Sequence, residues 1–184
     1  MVDCVILVVD AYEGTMPQTS FVLKRALEAW LKPIVVINKV DKPSARPLEV
    51  IDEVLELLID LGADEDQLEF PVAYTSAVNN TSSLSYDITT QESGMYNVLD
   101  LILKEIPAPN IDKDAPLQFQ PALLDYNDFV GRIGIGRITR GTIKANQAAS
   151  CIRLDGTIKQ FRIQKLFGFL GLDKIEIEEA FAGD

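Results

Sequence analysis

Histidine is absent from this sequence, and cysteine occurs only at Cys4 and Cys151. Those gaps exclude a zinc site of the usual Cys/His kind, a Ser-His-Asp triad and a Cys-His dyad. Any chemistry falls to carboxylates, lysines, hydroxyls or a bound nucleotide. No apolar run approaches the ~20 residues of a membrane span, and the N-terminus lacks the basic region of a secretory signal. Two cysteines set in apolar stretches fit a reducing compartment. The expected location is therefore the cytoplasm, with no membrane partner.

What is present is an ordinary globular composition: 184 residues, 47% apolar and 24% charged, with a net charge of -11. That length suits one domain or two small ones. The charge is unevenly placed. Residues 1–108 hold 7 basic and 18 acidic side chains, leaving 10 of each for residues 109–184. Within the second part, residues 129–165 carry eight Lys or Arg, among them Arg132, Arg137, Arg140 and Lys144, against the single Asp155. One half is acidic, and the other is neutral with a basic stretch.

Hydrophobic periodicity divides the chain the same way. Residues 2–9 form an apolar run broken only by Asp3, the pattern of a strand buried on both faces of a parallel sheet. A helical pattern follows over 17–31, opened by Pro17. The scheme repeats with a strand at 34–37 and a helix at 47–61, then with a strand at 70–75 and a helix at 95–106. Residues 79–93 are polar and read as a loop. Three strand-then-helix units predict a parallel αβ sheet with right-handed crossovers.

Residues 109–116, rich in proline and aspartate, have the composition of a linker. Beyond them the period shortens to strands, predicting a small antiparallel β-barrel over 117–184. Asp155-Gly156 between two such runs predicts a type I′ hairpin turn. The apolar positions change phase around Gly134 and Gly136, which predicts a bulge or barrel corner.

Ligands of open parallel αβ sheets sit beyond the carboxyl ends of the strands. After the second strand stands Asn38-Lys39-Val40-Asp41, and after the third Ser76-Ala77. These resemble the two base-contacting motifs of GTPases. Guanine presents a ring N–H and an exocyclic amine side by side, and one fixed carboxylate accepts from both, a pair adenine does not offer. Asp41 would supply that carboxylate. The Asn38 amide would support the loop, the aliphatic stem of Lys39 would lie on the base, and the Ala77 N–H would meet the guanine carbonyl. A plain turn also uses Asn and Asp, but two such motifs after successive strands favour the nucleotide. Residues 136–143 have phosphate-loop glycine spacing without its lysine, and Asp128-Phe129-Val130-Gly131 comes after the base motif instead of preceding it. Both read as barrel turns. Asp52, Glu53, Glu56 and Asp60 read as the solvated face of the second helix.

Longer stretches extend the resemblance. Residues 10–19, 38–47, 124–138 and 165–179 are similar, nearly residue by residue, to the TypA/BipA family of bacterial translational GTPases. That resemblance implies the C-terminal half of a P-loop GTPase domain over 1–108, the linker 109–116, and a translation-factor β-barrel over 117–184 without its last strand. It implies GTP and GDP as ligands, with guanine held by Asn38, Lys39, Asp41, Ser76, Ala77 and Val78. It implies the ribosome as partner, with the basic barrel residues Arg132, Arg137, Arg140 and Lys144 facing ribosomal RNA. The phosphate loop, the magnesium-binding threonine and the catalytic histidine of the family have no counterpart here. The expectation is an internal piece, inactive in hydrolysis by itself and prone to self-association through its first strand. The other reading is a barrel module for RNA or protein without nucleotide activity.

Overall fold

The computed structural model describes residues 2–108 and 111–184. The chain divides into two compact units, Val2–Pro107 and Ala108–Asp184. Pro109 and Asn110 of the expected linker lie outside the described residues.

In the first unit β1 (Cys4–Asp10), β2 (Lys32–Asn38) and β3 (Val72–Ser76) lie side by side and parallel. The connections between them carry α1 (Pro17–Glu28), α2 (Pro47–Asp60) and the one-turn α3 (Glu65–Leu68). The polar stretch read as a loop contains a short antiparallel extension of the sheet, β4 (Thr81–Ser83) and β5 (Glu92–Ser93). Side-chain hydroxyls hold it: Ser82 Oγ donates to the Gly94 carbonyl at 2.7 Å, and Ser83 Oγ lies 2.8 Å from Thr90 Oγ1. Polar composition hid strands whose partners are not apolar. α4 (Tyr96–Glu105) closes the unit.

The main core lies between the sheet and α1 and α2. Val50, Val54 and Leu58, four residues apart on α2, are fully buried with Leu23 of α1 against Val35 and Ile37. Such spacing puts one stripe of the helix on the sheet. α1 ends earlier than its apolar pattern, because Trp30 takes a left-handed conformation at φ 59° while Leu31 N–H reaches back to the Ala26 carbonyl. On the opposite face Ile34, Ala73 and Leu101 of α4 form a second cluster.

β2 is buried on both faces from Pro33 to Ile37, as a central strand is. β1 departs from its expected burial. Leu7 and Val9 are inside, but Ile6 and Val8 on the other face are 41% and 59% exposed. The reason is position: β1 is the edge strand, and the α4 cluster reaches it only at Cys4.

The second unit consists of antiparallel strand pairs. β6 (Gln118–Asn127) pairs with β7 (Gly131–Arg140), β8 (Thr142–Lys144) with β13 (Glu179–Phe181), β9 (Ala148–Ile152) with β10 (Ile158–Arg162), and β11 (Leu166–Leu170) with β12 (Asp173–Ile177). A small core of Ile138, Ile143, Ala180 and Ala182 lies among β7, β8 and β13, with Phe119, Leu166 and Ile177 packed against it. Among the described residues β7 is joined to the segment after β13 by two backbone hydrogen bonds, Ile138 N–H to the Asp184 carbonyl and Gly183 N–H to the Ile138 carbonyl, and not by a continuous ladder.

Two local expectations are refined. The β6–β7 register slips between Pro121 and Leu123, opposite Gly136 and Ile135, which is the bulge the phase change predicts. The Asp155-Gly156 turn is not type I′. Only Gly156 has positive φ, at 81°, and the Arg153 and Thr157 pairing around it makes a three-residue loop with glycine in the left-handed position.

Candidate functional site

β2 ends at Asn38, and the backbone reverses sharply at Lys39, whose φ of 66° is unusual for a residue with a side chain. Hydrogen bonds on both sides hold the reversal. Val40 N–H donates to the Thr75 carbonyl at 3.2 Å, and Lys42 N–H to the Lys39 carbonyl at 3.2 Å. Val40 is 5% exposed, so the loop is pinned by an apolar side chain while Lys39 and Asp41 on either side of it face solvent.

Asn38 joins this loop to the one after β3. Its Oδ1 accepts from Thr75 Oγ1 and from the Ala77 N–H, each at 3.2 Å. Ser76 is buried and its hydroxyl accepts from Asn79 N–H at 3.3 Å, shaping the turn that exposes Ala77 and Val78. Asn38, Lys39, Asp41, Ser76, Ala77 and Val78 thus stand on two adjacent loops at the carboxyl ends of neighbouring parallel strands. The Asp41 carboxylate is exposed and has no hydrogen-bond or ionic partner among the described residues. One detail differs from expectation. Ala77 N–H is engaged by Asn38, so a guanine carbonyl would share or displace that bond.

The sequence reading passes over a third contributor, the end of β1. Asp10 Oδ2 accepts from Lys39 Nζ at 2.7 Å and from Lys42 Nζ at 3.2 Å, while Oδ1 accepts from Tyr12 N–H at 2.8 Å and from Glu13 N–H at 3.3 Å. Burial pushes the Asp10 carboxyl up, but the Lys39 ammonium, the two backbone amides and Lys42 outweigh it and hold the group well below the ordinary carboxylate range. Asp10 in turn raises the Lys39 ammonium. Next to it Ala11 N–H donates to the Asn38 carbonyl and Arg46 N–H to the Ala11 carbonyl, both at 2.8 Å. Arg46 Nε reaches the Tyr12 carbonyl at 3.0 Å and its Nη1 binds Glu53. Glu53 is therefore an anchor of the β1–α1 turn, and not only part of a solvated helix face. The rule that finds Asn38 and Ser76, which looks at the residue ending each buried strand, also finds Asp10.

In the second unit Arg132 and Arg140 are exposed on β7, Arg137 is half-buried there, and Lys144 on β8 is ion-paired with Glu179 at 2.8 Å. Lys165 likewise pairs with Glu176 at 2.7 Å. Acidic residues of β12 and β13 therefore neutralise part of the basic stretch, something its sequence window does not contain. A cleft of about 400 Å³ is lined by Leu124, Asp125, Tyr126 and Arg132. Of the two glycine motifs read as barrel turns, residues 136–143 run from β7 through Gly141 into β8 and residues 128–131 make the β6–β7 turn, both in the other unit from Asn38.

The fit to a guanine base rests on the unpaired Asp41 carboxylate beside the Asn38 amide. Magnesium fares differently: among the described residues no group of three or more acidic or thiol side chains converges to hold a metal ion.

Two adjacent loops at the carboxyl ends of neighbouring parallel strands, on an αβ sheet followed by a β-rich unit, give the architecture of the translation-factor class. The chain belongs to the family of the elongation factor Tu GTP binding domain, whose model matches residues 1–108. Over all 184 residues it is 61% identical to the large ribosomal subunit assembly factor BipA of Bacillus subtilis and 48% identical to that of Haemophilus influenzae. The whole chain is covered in both, and it spans 30% of the length of each relative. Among solved structures, the translation elongation factor SelB of Methanococcus maripaludis in complex with the GTP analogue GppNHp shares the fold. Its TM-score is 0.68 at 17% identity, over 100% of this chain and 36% of that one. The TypA/BipA resemblance read from four stretches therefore holds along the entire chain. Among the described residues no helix is long and apolar enough to cross a membrane.

Proposed function

We propose that this chain provides the guanine-reading half of a GTPase of the BipA kind, in which Asn38, Lys39 and Asp41, with Ser76, Ala77 and Val78, hold the base of GTP or GDP. The observation that carries this reading is the Asn38 carboxamide, which ties the two base loops together through Thr75 Oγ1 and Ala77 N–H and leaves the Asp41 carboxylate open. Asp41 accepts from the guanine ring N–H and amine, and the Lys39 stem covers one face. Adenine leaves the carboxylate unpaired, which is the source of discrimination.

No residue of the 184 is assigned to phosphoryl transfer, which depends on positioning and neutralising the phosphates. Any magnesium belongs with those groups. The isolated chain is expected not to hydrolyse GTP and to bind a fluorescent GDP analogue only weakly. The protein expressed from its complete reading frame is expected to bind it tightly, with GDP but not ADP displacing it. A micromolar dissociation constant for the isolated chain would overturn the expectation of weak binding, and displacement by ADP would overturn the assignment of the base loops.

The relatives' name makes the ribosome the proposed partner and the cytoplasm the proposed location. We place Arg132, Arg137, Arg140 and Lys144 towards ribosomal RNA, where Lys144 would have to exchange its pairing with Glu179 for a phosphate. Charge reversal of Arg132 and Arg140 should weaken co-sedimentation with ribosomes and lower the salt slope by about one for each phosphate no longer neutralised. Unchanged sedimentation rejects this placement. The exposed Ile6 and Val8 on an edge strand support self-association of the isolated chain. Its light-scattering mass should rise with concentration, and a constant monomer mass would remove this proposal.

A further inference from the structure

Asp10 occupies an unusual position for an acidic side chain. It is the last residue of β1, its side chain is only 10% exposed, and all four of its close partners are donors. Two ammonium groups share one oxygen, and two backbone amides of the adjoining turn fix the other. An ordinary surface ion pair leaves both long side chains mobile and contributes little. Here the acceptor is rigid before either lysine arrives.

Lys39 is the side chain thereby held. Its stem is the surface proposed to lie against the base, and a lysine stem free in solution samples many rotamers whose loss would count against binding. The left-handed backbone at Lys39 turns the side chain back toward the end of β1, where Asp10 receives it. The Ala11 N–H bond to the Asn38 carbonyl fixes the distance between the two elements. We propose that Asp10 is a positioning residue for nucleotide recognition, which locks the Lys39 stem in place as a preformed wall for the purine ring, with Lys42 as a second tether on the same carboxylate. This rests on the base-binding role given above to Lys39 and Asp41, and it adds the element that makes the wall rigid.

A stacking wall is indifferent to the substituents on the purine edge, whereas Asp41 is not. That difference separates positioning from general damage to the loop. In the protein expressed from its complete reading frame, Asp10→Asn is expected to raise the dissociation constant for GDP about tenfold and that for IDP, which lacks the exocyclic amine, by the same factor. Lys39→Met keeps an aliphatic stem but cannot pair with Asp10, so it should lose the same tenfold. The double variant should be no worse than either single one, because both remove one interaction. Lys39→Met leaves the backbone bonds of Asp10 intact, so it decides the matter if Asp10→Asn does not fold. The proposal is overturned if Lys39→Met binds GDP within twofold of the unsubstituted protein, if the two losses multiply in the double variant, or if GDP is weakened far more than IDP. Failure of the base reading itself would look different: Asp41→Asn would then leave the preference for GDP over IDP unchanged, whatever Asp10 does.

Discussion

Asp41→Asn is expected to exchange guanine selectivity for xanthine selectivity in the protein expressed from its complete reading frame. Guanine offers two adjacent donors, and the carboxylate accepts both. Xanthine keeps the ring N–H but carries a carbonyl where guanine has its amine. A carboxamide meets that pair, accepting with its oxygen and donating with its nitrogen. Two charge-assisted hydrogen bonds of roughly 2 kcal/mol each are at stake, so GDP affinity should fall about a thousandfold. XDP should gain by a similar factor. Asp41 is exposed and makes no bond to the rest of the described chain, so the substitution should leave the thermal midpoint where it was. Competition of XDP and GDP for a fluorescent nucleotide decides it. A variant that loses GDP without gaining XDP would mean that Asp41 does not face the purine edge.

A large stability loss is expected from Gly136→Ala. A Cβ there would stand 2.3 Å from the Gln120 carbonyl oxygen and 3.1 Å from Pro121 Cα. Both are backbone atoms of the paired strand, which cannot swing aside as a side chain can. The β6–β7 register must then shift at its existing bulge, or the strands must part. Overpacking of this kind costs about 3 kcal/mol, which in a unit this small lowers Tm by on the order of 10 °C or more. Gly134→Ala is the control two residues away, where the new Cβ would meet side-chain atoms alone, those of Pro121 at 3.3 Å and Phe119 at 3.9 Å. Calorimetry should find Gly136→Ala much the worse of the two. Equal melting would show that β6 is free to move.

Much of the first unit was legible because its signals are local. A continuous apolar run followed by Asn-Lys-x-Asp needs no partner to be recognised, and Val50, Val54 and Leu58 declare a buried stripe by spacing alone. Burial was less legible in β1, whose residues are as apolar as those of β2. Which of them faces a helix depends on where α4 crosses the sheet, and the strand itself carries no record of that. The β4–β5 extension escaped notice for the converse reason, since Ser82 and Ser83 are buried by hydroxyl hydrogen bonds instead of apolar contacts. At Asp155-Gly156 the dipeptide marked a hairpin correctly but not its turn type, because the choice depends on how many residues the flanking pair leaves in the loop.

The sequence by itself determined the alternation of strand and helix, the change to β-structure in the second unit, the residue types here proposed to read a guanine edge, and the family to which they point. Each is carried by period, composition or a short motif, and so survives without knowledge of the fold. Only the tertiary structure decided that Asp10, some thirty residues upstream, grips Lys39 and Lys42, that Asn38 engages the Ala77 N–H, and that Glu176 and Glu179 reach back to neutralise part of the basic stretch. These are electrostatic and hydrogen-bonding pairs between distant segments. Their strength depends on separations of about 3 Å, which the crossover connections and strand registers set and which no window of sequence contains.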